Sequence, residues 1–141
     1  MQNIEIIYPS IAMFALTGIF LLSLGISRVI ALKQHKVNIK YYTQYTEGEQ
    51  PERLHVLGRH VQNHFEVPPL FHIAIIFLFV TETATEASLI AAWAFVGFRC
   101  LHSIVHLGYN NVTHRFLCFV ASLLCLVTLW GCLLTGLLDK A

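Results

Sequence analysis

The segment RHVQNHFE (residues 59–66) runs directly into VPPLFHIAIIFLFV (residues 67–80), and the reading of that junction decides the fold. The apolar part is well short of the ~20 residues that a helical crossing of a bilayer needs. A helix that crosses here must take its first turns from the polar part. Arg59, Asn63 and Glu66 then lie at or below the lipid headgroups. An ionisable group inside a membrane costs roughly 2.5 to 3.5 kcal/mol on insertion scales, which makes these residues candidates for a functional site.

Composition supports a membrane setting. Of 141 residues, 56% are hydrophobic and 12% charged, against about 25% charged in ordinary soluble domains. The reading is one all-α domain, residues 1–141. A net charge of +1 and the lack of a lysine–arginine run argue against nucleic acid as a partner, leaving small molecules, lipids, the bilayer and copies of the chain. Cys100, Cys118, Cys125 and Cys132 all fall in apolar segments, as packing residues do, and no disulfide framework is expected.

Hydropathy divides the chain into four spans, at about residues 9–33, 52–80, 86–107 and 114–138. The first has no lysine or arginine before Arg28, and its apolar run, residues 11–32, exceeds the core of a signal peptide; it is expected to stay as an anchor. Residues 33–52 read as an exposed loop, broken by Gly48 and Pro51. Pro68 and Pro69 are expected to bend span two. Lys33, Lys36, Lys40 and Arg53 border the first loop and Arg115 the third, whereas the opposite side has only Lys140. Loops one and three are therefore expected to be cytoplasmic and both termini to lie across the membrane.

At ~100° per residue, Arg59, Gln62, Asn63 and Glu66 share one arc of helix two, and Arg99, His102, Ser103 and His106 align on helix three. In an antiparallel four-helix bundle both sets, with Arg115, meet at one level. Three arginines that can grip carboxylates, one carboxylate for an ammonium and amides for orientation suit a small zwitterionic peptide anion. A plainer account has Arg59 and Glu66 neutralising each other and Arg99 snorkelling to the headgroups, but it leaves Asn63, His102 and Arg115 unexplained.

The pattern ERLHVLGRHVQNHFEVPPLF resembles a signature of the MAPEG superfamily, membrane-associated proteins in eicosanoid and glutathione metabolism. Arg59, Asn63, Glu66 and Pro68 or Pro69 match it. FRCLHSIVHLGYNNVTHR is similar to the family's second motif, through Arg99, His102 and Arg115, and the resemblance covers nearly the whole chain. It implies a homotrimer with glutathione bound in clefts between neighbouring subunits. It also implies that Arg115 stabilises the glutathione thiolate, that Arg59, Asn63 and Arg99 position the peptide with Gln62 beside them, that Glu66 receives the α-ammonium, and that His102 adds a hydrogen bond. The sequence departs from the family pattern at Val61 and Gln62, where a further basic residue is frequent, and at His106, where several members have tyrosine. Tyr109 can supply the missing hydroxyl, or serve as an interfacial anchor.

The implied activity is a glutathione-dependent transferase or peroxidase acting on lipophilic electrophiles; the alternative is a non-catalytic lipid-binding protein of the same fold. The pairs His60/His64 and His102/His106 have the i, i+4 spacing of metal ligands. The first pair, however, lies about 100° from the Asn63 stripe, and no cysteine or second carboxylate is nearby. No metal is expected, and His60 and His64 are assigned to packing or an interface.

Overall fold

The computed structural model describes residues 3–45 and 49–141; Gly48 lies outside them. A 3₁₀ turn, Asn3–Ile6, leads into α1 (Ile7–Lys33), and α2 (Tyr41–Gln44) is a single turn in the first loop. Helices α3 (Glu52–Glu66) and α4 (Pro68–Val80) together make span two, followed by α5 (Glu86–Leu107) and α6 (Val112–Leu138). Four segments are long and apolar enough to cross a membrane, and the shortest, of 22 residues, rises about 33 Å, enough for the ~30 Å hydrocarbon core. The protein is a multi-pass integral membrane protein.

Two contacts fix the antiparallel layout. Asn3 Nδ2 donates to the Phe79 carbonyl at 2.8 Å and Lys140 Nζ to that of Thr81 at 2.7 Å. Both ends of the described chain therefore meet the turn between α4 and α5, while the loop after α1 and the turn after α5 lie at the other end. Close to the first of these ends, a Cβ added at Gly136 would fall 2.6 Å from that of Thr83, so only glycine lets α6 approach the turn so closely.

The expected bend is present as a break at Val67. Pro68 and Pro69 have no N–H to offer the carbonyls of His64 and Phe65, and α4 restarts with the Leu70 and Phe71 amides bonded to the Val67 carbonyl at 3.0 and 3.4 Å. Span two is thus a polar helix joined to an apolar one. The sequence placed the start of span four two residues late. Asn111 Oδ1 accepts from the His114 amide at 3.0 Å, a side-chain cap that begins the helix at Val112.

Helix α5 is the central span, with half of its most apolar window buried against 11% for α1. Phe71 of α4 and Phe95 of α5 stack at 4.3 Å between centroids, and Ala74, Ala91 and Ala92 keep the backbones close, as membrane helices require when lipid is as apolar as the core. The first loop is less exposed than its composition suggests. Val37 and Tyr41 are buried with Leu24, Ala31, Leu54 and Val61 in a second cluster beside the polar half of span two.

Phe71→Ala is expected to lower stability by roughly 2 kcal/mol, below the soluble range because the opened chain stays in an apolar medium. Phe14→Ala, on a face that is 73% exposed, should change it by less than about 0.5 kcal/mol. Thermal unfolding of the two variants in detergent measures the difference.

Candidate functional site

Near the end of the bundle that carries the first loop, α3, α5 and α6 converge on a cavity of about 340 Å³. Arg59, Gln62, Asn63 and Glu66 reach it from α3, His102 and His106 from α5, and Arg115 from the first turn of α6. Three apolar residues of α6, Val112, Phe116 and Phe119, complete the wall. Their spacing repeats with the helix and places them on the same face as Arg115, a pattern readable in the sequence but easily lost among the other apolar residues of the span.

The Arg115 guanidinium is held rather than loose. Its Nη1 donates to Asn110 Oδ1 at 3.0 Å. Asn110 has φ 49°, a left-handed conformation that asparagine tolerates better than most residues, so the turn itself aims the side chain that holds Arg115. The Arg115 carbonyl also accepts from His102 Nδ1 at 3.1 Å. That bond makes His102 a neutral Nδ1–H tautomer when unprotonated and leaves Nε2 as its other nitrogen, buried and without a partner among the described residues.

Tyr109 is placed elsewhere. It is 63% exposed and shares a hydrogen bond of 2.8 Å with His114 Nδ1, so it does not line the cavity or replace a hydroxyl there. Arg99 is also absent from the wall, but for the opposite reason. It is fully buried, and its guanidinium lies 5.3 Å from the ring centres of both Phe95 and Phe119, the latter on the cavity wall. Snorkelling is ruled out by this burial. None of its three guanidinium nitrogens has a hydrogen-bond partner among the described residues.

A model of the MAPEG family matches residues 9–135. The chain belongs to the MAPEG family. No curated protein and no solved structure matches it. Membership fits a membrane function related to glutathione in general terms, and the two MAPEG-like motifs of the sequence are the ones that meet at the cavity.

The histidines of this MAPEG protein require a correction. His60 and His64 do not turn away from α5. His60 Nδ1 lies 3.2 Å from His106 Nδ1, the His60 ring stacks on His102 at 5.9 Å, and His64 Nδ1 shares a hydrogen bond of 3.1 Å with Thr17 Oγ1 of α1. The angular separation on α3 was right, but α5 packs against the flank that bears His60 and His64, so both faces of α3 are used. His60, His64, His102 and His106 are all buried.

If Arg99 is a charge kept for binding rather than for folding, Arg99→Met should raise the melting temperature of the ligand-free protein, because an apolar side chain of similar length removes an unpaired buried charge. The same variant should lose most of any stabilisation by anionic ligands. Paired thermal scans with and without glutathione check both effects.

Proposed function

We propose that this protein is a glutathione-dependent membrane transferase, or a peroxidase using the same thiol, that acts on lipophilic electrophiles entering from the bilayer. The observation that carries this reading is the anchored Arg115 guanidinium on the wall of a cavity that also bears Arg59, Asn63 and Glu66. Two carboxylates and one ammonium of the peptide then have matching partners: Arg59 and Asn63 on one side, Glu66 on the other, with Gln62 beside them. His102 and His106 close the inner wall. Arg99 acts through the field of its charge from behind Phe119.

The thiol reaches Arg115. A free thiol titrates near 8.5, and a neighbouring cation shifts it down, so more thiolate is present at neutral pH. In the transferase reaction the thiolate sulfur forms a bond to the electrophilic carbon while a leaving group departs, or the electrons move to an acceptor that solvent protonates. Val112, Phe116 and Phe119 give the apolar partner a surface to rest on. We further propose that three copies assemble, that their clefts complete the site, and that the end bearing the first loop faces the cytoplasm, where glutathione is held.

The second reading is a non-catalytic lipid-binding protein, favoured by the apolar α6 wall and by His106 in place of a tyrosine. Under the catalytic reading, purified protein conjugates glutathione to a generic aromatic halide. Arg115→Ala should lower the rate at pH 7 at least tenfold and move the apparent pKa of the rate profile up toward about 8.5. Stabilisation by fatty acids but not by glutathione, with no conjugation, would instead establish the lipid-binding reading.

A further inference from the structure

His60, His102 and His106 come together at the inner wall of the cavity, and their ligating nitrogens all lie within 4.8 Å of one another. The three are no more than 3% exposed. Their company is unusual, because imidazoles that only fill a core are expected to find donors or acceptors for both nitrogens. Here Nε2 of each of the three is buried without a partner among the described residues, and the same is true of His64.

The geometry is close to that of a coordination shell. Two imidazole nitrogens bound to a tetrahedral zinc at about 2.0 to 2.1 Å stand about 3.3 to 3.4 Å apart. Nδ1 of His60 and Nδ1 of His106, hydrogen-bonded to each other, are already 3.2 Å apart, so an ion there replaces that bond and takes an unpartnered Nε2 from His102 alone. His102 is oriented as ligands are, with one ring nitrogen engaged by a backbone carbonyl, that of Arg115, leaving the other for an ion. Closing the widest separation, 4.8 Å, to the tetrahedral value requires a shift of about 1.5 Å.

We propose that His60, His102 and His106 bind a first-row divalent metal ion of the zinc class inside the bundle. Three imidazoles with no oxygen ligand suit zinc, cobalt or copper and not calcium or magnesium, which need shells of oxygen. Three protein ligands leave a fourth position, and because His102 and His106 also line the cavity, that position opens toward it. Arg99, fully buried, stands one turn before His102 on α5. The Arg99 charge beside a divalent ion favours an anion as fourth ligand: hydroxide, or a carboxylate or thiolate entering from the cavity. The site does not rest on the glutathione reading, since its three ligands belong to the chain.

The test uses protein produced without a histidine tag, stripped with a chelator in detergent and titrated with Zn²⁺ by calorimetry and with Co²⁺ by visible absorption. One ion per chain, an intense tetrahedral cobalt spectrum and a melting temperature that climbs with zinc concentration are expected. His60→Gln and His102→Gln should each weaken binding at least tenfold, whereas His35→Gln and His55→Gln, on exposed residues, should leave it unchanged. If the glutamine variants fail to fold, the wild-type cobalt spectrum and the zinc-dependent melting shift decide alone. Folded protein that gives neither a tetrahedral cobalt spectrum nor a zinc-dependent shift overturns the proposal, as does binding that survives unchanged in folded His60→Gln.

Discussion

The Arg99 guanidinium, buried in the middle of a membrane bundle with no hydrogen-bond partner among the described residues, sets the terms for everything around it. A charged side chain at that depth costs roughly 3 kcal/mol even on lenient insertion scales. Two aromatic faces return about 2 kcal/mol each when desolvated, and Phe95 and Phe119 supply them. That covers the charge but leaves its donors unmet, and buried donors without acceptors cost about 1 to 3 kcal/mol each. The balance is restored most simply by negative charge close by. Glu66, on the cavity wall, acts on Arg99 electrostatically but is itself exposed; an anionic ligand in the cavity would add to it.

The rest of the fold places that charge. The two prolines cut span two into a polar helix and an apolar one, so that α3 can present hydrogen-bonding groups on two flanks while α4 packs by Phe71 and Ala74. One flank of α3 faces the cavity and the other meets the histidines of α5 and Thr17 of α1. The left-handed turn at Asn110 then brings the start of α6 back over the same level, where Asn110 holds the Arg115 side chain and His102 holds its carbonyl. Three elements with different sequence signatures are needed for one cavity.

Much of this was legible in the chain. Four apolar runs and the proline pair specify the bundle and its break, and helical periodicity alone aligns Arg59, Gln62, Asn63 and Glu66 on the stripe that lines the cavity. What failed did so for physical reasons. Periodicity gives angles on a helix but not the position of the neighbouring helix, which is why packing was legible for His60 and His64 but the α5 histidines as their partners were not. It does not distinguish burial behind a wall from exposure on it, so Arg99 was expected among the lining residues. For Tyr109 the sequence left a site hydroxyl and an interfacial anchor both open, and its exposed side chain bonds to His114 away from the cavity. Apolar α6 residues carry no code in an apolar span, so Val112, Phe116 and Phe119 emerged only with the three-dimensional arrangement.

On the function we propose, the polar layer holds a thiol-bearing peptide anion with its sulfur at Arg115. The most direct measurement is an electron cryo-microscopy structure of the protein in lipid nanodiscs at saturating glutathione. The peptide is expected in the cavity between α3 and α6, its carboxylates toward Arg59 and Asn63, its ammonium at Glu66 and its sulfur nearest Arg115. Glutathione bound at another surface, or seated in the cavity with its sulfur away from Arg115, would contradict it.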